Sequence, residues 1–252
     1  MTSQKPYEEI AVVTGAAGGM GQFIVRQLHE SGRKVYLADI DVDKAQALAL
    51  ELSPDGSTAR AIYLDVSLRQ SFVDALDKIV AEWGTPSVLV NNAAITRAAD
   101  LMTLGEEEFN QVLTTNVDSI FFGCQVFGGA MADQGYGRII NMASLAGQNG
   151  GTATGGHYAA SKGAIMTTTK IFARELADRG VTVNSISPGP HDLPVVHQTV
   201  PAEKLSGIIS GIPVQQLGNP AFIAKTVTLL ADEDAAFVTG ACWDINGGLY
   251  LR

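Results

Sequence analysis

Short β-branched runs alternate with longer amphipathic stretches along the chain. The runs are IAVVT (10–14), KVYLAD (34–39), AIYLD (61–65), SVLVNN (87–92), RIINMAS (138–144), VTVNSIS (181–187) and ACWDIN (241–246). Between them lie stretches of helical period such as GQFIVRQLHESG, SFVDALDKIVAEWG and IFARELADRG. Repeated strand–helix–strand order requires parallel pairing with right-handed crossovers. It predicts an α/β fold, one doubly wound parallel sheet with helices on both faces. Ligands of such sheets sit outside the carboxyl ends of the strands, near the point where strand order reverses. The residues just after each strand are therefore the ones to read for chemistry.

Composition narrows this picture. The 252 residues suit a single domain spanning 1–252, because no linker, internal repeat or low-complexity tract interrupts the alternation. The glycine-rich stretch 147–156 is too short for a linker. Cys124 and Cys242 stand far apart without CxxC spacing, which fits small buried hydrophobes in a reducing compartment. No apolar signal core opens the chain and no run reaches the roughly 18 apolar residues of a membrane span, so a soluble cytoplasmic protein is expected. The net charge of −9 provides no basic footprint for nucleic acid. It also disfavours an acidic carrier protein, unless a local basic patch overrides it.

After the first run comes TGAAGGMG, with Gly15, Gly19 and Gly21 ahead of a helical stretch. Glycines there let backbone amides and a helix N-terminus approach a pyrophosphate. Asp39 ends the second run at about the twenty-residue spacing at which a carboxylate bonds the ribose 2′-OH and repels a 2′-phosphate, predicting NAD(H) over NADP(H). Arg33 and Lys34 precede that strand and belong to its other end. Asp65 can contact the adenine amino group or cap the helix starting near Leu68. Asn91, in the NNAA turn, can stabilise the turn and also wall the cofactor. In HYAASK, Tyr158 and Lys162 are four apart and meet on one helix face, which taken alone describes many solvated surface pairs.

Read in order, TGAAGGMG, NNAA, Asn116 in TTNVD, Ser144 in NMAS, Tyr158 and Lys162 in YAASK, and Pro188-Gly189 resemble a classical short-chain dehydrogenase/reductase over nearly the whole chain. The resemblance implies a Rossmann-type sheet of seven strands in the order 3-2-1-4-5-6-7, a nicotinamide cofactor, no metal, and a homo-oligomer, tetramer rather than dimer. It makes Tyr158 the proton donor or acceptor, Ser144 a partner of the substrate oxygen, Lys162 a ribose ligand and Asn116 the anchor of a proton-relay water. A mid-helix Asn can equally bond a backbone carbonyl. The cofactor contacts it implies are Gly15, Gly19, Met20, Gly21, Asp39, Asp65, Val66, Asn92, Ala93, Tyr158, Lys162, Pro188 and Gly189. Free tyrosine titrates near pH ~10 and is a poor base at neutrality. A lysine cation about 5 Å away, at an effective dielectric of ~20, contributes roughly 3 kcal/mol toward the phenolate.

Several positions depart from the family pattern. NNAA replaces the frequent NNAG. Leu193 stands where a threonine often bonds the nicotinamide carboxamide, which passes that contact to the backbone. The interval from Ser144 to Tyr158 is one residue longer than expected, and the extra glycines of QNGGTATGG are expected to reshape the substrate wall. His157, His191 and His197 have no metal-ligand spacing and read as loop or pocket-lining residues. Residues 190–216 are expected to form a substrate lid, and NGGLYLR to pack near a subunit interface.

The leading functional expectation is NAD(H)-dependent interconversion of a secondary alcohol and a ketone, on a small or medium apolar substrate, with Tyr158 as general acid/base. The alternative is a 3-oxoacyl-thioester reductase, acting on carrier-protein or coenzyme A thioesters, because PVQQLGNP and VTGACWDINGG resemble the tail of the acyl-carrier reductases. That group usually prefers the phosphorylated cofactor and grips its carrier with arginines. Arg179 could serve, while Gly135 sits where a second basic residue is expected. A catalytically idle nucleotide-sensing module is a third reading, disfavoured by the intact Ser144, Tyr158 and Lys162 set.

Overall fold

The β-branched runs become β1 (Ile10–Thr14), β2 (Lys34–Asp39), β3 (Ala59–Tyr63), β4 (Val88–Asn91), β5 (Gly137–Met142), β6 (Val181–Pro188) and β7 (Cys242–Ile245) in the computed structural model, which describes residues 9–151, 154–199 and 202–251. Thr152 and Ala153 of the glycine-rich insertion, residues 200 and 201 of the expected lid, and residues 1–8 and 252 lie outside the described residues. All seven strands pair in parallel in one sheet, in the order β3-β2-β1-β4-β5-β6-β7. The third strand starts two residues earlier than the run AIYLD and stops at Tyr63. The chain turns there because Asp65 Oδ1 accepts hydrogen bonds from the Ser67 amide at 2.9 Å and the Ser67 hydroxyl at 2.6 Å.

The helices are α1 (Gly19–Glu30), α2 (Val42–Leu52), α3 (Arg69–Glu82), α4 (Glu106–Leu113), α5 (Ser119–Gln134), α6 (Ala146–Asn149), α7 (Gly156–Leu176), α8 (Pro194–Thr199), α9 (Ala202–Gly211) and α10 (Pro220–Leu230). Strand side chains alternate between faces, and β1 feeds two cores. Ile10 and Val12 join Phe72, Ile120, Phe127 and Ile165 from α3, α5 and α7. Ala11 and Val13 join Ile24, Leu28, Ile223 and Val227 from α1 and α10. Burial on both faces is what parallel strands require. Arg33, at the N-terminal end of β2 as expected, donates to the Ala231 carbonyl, and Arg138 donates to those of Asp232 and Glu233. Both guanidiniums thus sit where the carbonyls and dipole at the end of α10 favour positive charge. Among the described residues no helix is long and apolar enough to cross a membrane.

One buried polar chain ties sheet to helix beneath the strand ends. Asn91 and Asn141 are register partners in β4 and β5. Asn91 Nδ2 donates to Asn141 Oδ1 at 2.9 Å, Asn141 Nδ2 to Thr169 Oγ1 at 3.0 Å, and Thr169 Oγ1 to the Ile165 carbonyl at 2.8 Å. Satisfied in this way, the amides cost little to bury. The chain needs close approach of α5, since a Cβ on Gly123 would lie 2.4 Å from Asn91 Oδ1. Gly123→Ala is therefore expected to destabilise the protein by about 1–3 kcal/mol, the usual cost of overpacking. An unchanged denaturation midpoint for this variant would contradict that reading.

Candidate active site

A cleft of about 550 Å³ opens at the carboxyl ends of the strands where the sheet order reverses between β1 and β4. Gly15, Gly19 and Met20 line it from the first loop. Gly15 has φ +63°, and a Cβ there would sit 2.8 Å from Ala93 Cα, so the loop packs against the β4 turn only as glycine. Gly19 has φ +54°, and a Cβ on it would meet nothing within 4 Å. Gly21 is buried behind the cleft, with a Cβ position 2.2 Å from the Gly15 carbonyl oxygen. The N-terminus of α1 carries no side-chain cap, which leaves the helix start open to an anionic group.

Asp39 lines the same cleft and braces it. One carboxylate oxygen accepts from the Ala17 amide at 2.9 Å and the other from the Asp41 amide at 3.0 Å. Asn92 donates to the carbonyls of Thr14 and Gly15, and Thr14 Oγ1 accepts from the amides of Asn92 and Ala93. Asn92 and Ala93 thereby form a cleft wall, while Asn91 points into the core and takes only the stabilising one of its two expected roles. Val66 lines the cleft, but Asp65 does not, one of its oxygens being taken up by the turn to Ser67. Leu64 and Ile40 complete that wall. A glycine cradle, an uncapped helix start and a cleft-lining carboxylate are a donor and acceptor set that can hold a dinucleotide.

Tyr158, Lys162 and Pro188 line the far half of the cleft. The Lys162 ammonium is 3% exposed, donates to the Met142 carbonyl at 2.7 Å and stands 5.6 Å from the centre of the Tyr158 ring. Burial lowers this lysine to about 8. The expected net pull of the phenol toward phenolate is corrected here. Burial pushes the Tyr158 phenol above its ordinary range, and hydrogen bonds with Ser144 and Thr96 offset only part of this rise. Desolvation penalises either charged form, so the two neighbours shift toward neutrality together.

Ser144 lines a smaller cavity of about 220 Å³ that shares Tyr158 and Pro188 with the main cleft. Gly151 and Thr154 of the glycine-rich insertion form one wall, and Gly189 stands on the other side. Tyr158 therefore stands where the two cavities join, with Ser144 lining the smaller one. Leu193 lines the main cleft, its amide donating to the His191 carbonyl at 3.0 Å.

Asn116 sits in a π-helical turn, Thr114–Asp118, that links α4 to α5. Its Oδ1 accepts from the Ile95 amide at 2.9 Å, and its Nδ2 donates to the Ile95 carbonyl and to Ser161 Oγ, both at 3.0 Å. Such turns insert one residue and re-aim a side chain. The asparagine is fully buried and clamps the loop after β4, realising the backbone-bonding alternative.

The histidines separate. His157 is a fully buried residue of α7, its Nε2 3.5 Å from Glu108 Oε1, and a Cβ on Gly155 would lie 2.3 Å from its ring. His191 is buried with Nδ1 on the Gly189 carbonyl, while His197 pairs with Asp192 at the surface. The residues 190–216 expected as a lid form α8 and α9 over their described part. Arg179 is engaged by Asp133 at 2.6 Å, and Gly135 caps α5 with φ +79°, which explains glycine in place of a basic residue. Thr96 was not anticipated. Its only sequence signal was its place in the loop after β4.

Comparisons with known proteins agree with this arrangement. A family model described as Enoyl-(Acyl carrier protein) reductase matches residues 15–250. The chain is 37% identical over 245 residues to the 3-oxoacyl-[acyl-carrier-protein] reductase FabG of Escherichia coli, covering 96% of this chain and 98% of that protein. It is 34% identical over 243 residues to the FabG of Haemophilus influenzae and 35% identical over 243 residues to that of Pseudomonas aeruginosa, with the same shares covered. With the sheet order, the strand-end cleft and these matches together, the chain belongs to the classical short-chain dehydrogenase/reductase family of oxidoreductases.

Proposed function

We propose that this protein reduces 3-oxoacyl thioesters to 3-hydroxyacyl thioesters with NADH, and runs the reverse oxidation with NAD. The observation that carries this reading is that Tyr158, with the Lys162 ammonium 5.6 Å from its ring centre, lines both the main cleft and the smaller cavity that Ser144 lines. Two hydroxyls converging on one oxygen suit a carbonyl better than a carbon–carbon double bond. The secondary alcohol and ketone chemistry read from the sequence is the same reaction in general form. The names of the relatives favour the thioester, and the engagement of Arg179 by Asp133 favours a coenzyme A thioester over a carrier-bound one.

When bound, the nicotinamide supplies or accepts the hydride. Tyr158 gives its proton to the substrate oxygen as charge develops there, and Ser144 donates to the same oxygen. Lys162, fixed to Met142, supplies positive charge beside the phenol and a donor for a ribose. Asp39 accepts from a ribose diol and repels a 2′-phosphate. Cys124 and Cys242 form no disulfide among the described residues, which supports a reducing, cytoplasmic setting. Exposed Phe222, Leu229 and Phe237 support a homo-oligomer, and the family resemblance favours a tetramer over a dimer.

Three outcomes are expected. In a panel of acetoacetyl-coenzyme A, a carrier-linked 3-oxoacyl thioester, an enoyl thioester and simple ketones, the first gives the highest kcat/KM. Tyr158→Phe lowers its kcat by about 10²–10³ while cofactor affinity holds. Preference for the enoyl substrate, or full turnover by Tyr158→Phe, would overturn the proposal. NADH outperforms NADPH, and Asp39→Asn narrows the ratio at least tenfold; an unchanged ratio removes the carboxylate from cofactor selection. Reduction needs the phenol protonated and the ammonium charged, and burial leaves the ammonium as the first of the two to lose its proton. Accordingly kcat/KM for reduction declines as pH rises through about 8. A profile flat to high pH would exclude a charged Lys162 from the mechanism.

A further inference from the structure

Ser144 is held by the short turn that follows it. Its Oγ accepts from the Ala146 amide at 3.1 Å and its carbonyl from the Gly147 amide at 2.9 Å, which starts α6. Accepting an amide leaves the hydroxyl its own proton to donate to an outside oxygen. Three contacts then seat the turn on the rest of the molecule. The Leu145 amide donates to the Pro188 carbonyl of β6 at 2.9 Å. Gly147 lies against the backbone of α7, where a Cβ would sit 2.5 Å from the Lys162 carbonyl carbon. Gln148 makes the third contact, and it is the one of the three made by a side chain.

Ser187 and Asp244 are register partners in β6 and β7, and the Gln148 amide bridges them. Its Nε2 donates to Asp244 Oδ1 at 2.6 Å, and its Oε1 accepts from Ser187 Oγ at 2.9 Å. A carboxylate can only accept, whereas a hydroxyl can donate, so the two partners together fix which way the amide faces. Ser187 is fully buried and would lose this acceptor if Gln148 were apolar. A glutamate would set two carboxylates against each other. The flanking Ala146 and Asn149 line the Ser144 cavity while Gln148 does not, so its amide works from behind the site.

We propose that Gln148 is a positioning residue for Ser144: by bridging β6 and β7 it fixes the turn on which the serine hydroxyl meets the substrate oxygen. This rests on the reading of Ser144 given above and adds a residue to it. The bridge also ties the reaction centre to β7, the last strand of the sheet. Misplacing a reacting group by about 1 Å can cost about 10²-fold in rate. Loss of the bridge alone leaves the Leu145 and Gly147 contacts in place and costs less.

The test measures reduction of the best substrate of the panel above by Gln148→Leu, Ser144→Ala and the two combined, together with Gln148→Glu alone and paired with Asp244→Asn. Gln148→Leu is expected to lower kcat about tenfold, with cofactor KM within about twofold of wild type. In the Ser144→Ala background the same change lowers kcat by less than about twofold further, because a residue that acts through a hydroxyl has nothing left to position once that hydroxyl is gone. Gln148→Glu loses rate as the leucine variant does, and adding Asp244→Asn restores it by exchanging donor and acceptor. This exchange decides the matter if the leucine variant does not fold. Wild-type kcat in both single variants of Gln148, an equal loss with and without Ser144, or no rescue by the exchange overturns this inference alone. If Ser144→Ala keeps the wild-type rate, the reading of Ser144 itself fails and takes the inference with it.

Discussion

The side-chain amide of Asn116 satisfies both the N–H and the carbonyl of Ile95 and, with its remaining proton, Ser161. Fully buried, it has no water to fall back on, so breaking any of these bonds leaves a polar group stranded in the core. That constraint fixes the loop after β4 relative to α5 and α7 at once. The π-helical turn that carries Asn116 is the backbone adjustment that allows it, since a regular helix through Thr114–Asp118 would aim the amide elsewhere. Cleft wall, phenol and the hydroxyls around it inherit their mutual distances from this one clamp.

Burial of the reaction centre has a second consequence. The desolvation that makes hydrogen bonds strong there also opposes charge, raising Tyr158 and bringing Lys162 to about 8. In the proposed reaction, a phenol raised in this way is better prepared to donate a proton than to accept one. Hydroxyl donors offset part of that bias without adding charge.

The glycine cradle and the Ser144 cavity lie on opposite sides of the order reversal. The glycine loop, the start of α1 and Asp39 belong to strands β1 and β2, on one side of the order reversal. Ser144, the glycine-rich insertion and Pro188 belong to strands β5 and β6, on the other. Variation in the insertion can therefore reshape the smaller cavity without disturbing the glycine cradle, as expected when function is set by loops on a fixed scaffold.

Periodicity alone determined the alternating parallel fold, because a β-branched run and an amphipathic helix each leave a local signature that tertiary contacts merely complete. The glycine loop, Asp39 and the four-residue spacing of Tyr158 and Lys162 were legible for the same reason, each being a local pattern with a local cause. The role of Asn116 as a loop clamp, the inward turn of Asn91 and the Asp65 turn were decided only by the folded chain. So was the direction in which the phenol shifts. A through-space attraction can be guessed from spacing, but desolvation depends on how many atoms from distant segments exclude water, and no neighbouring residue in sequence carries that information.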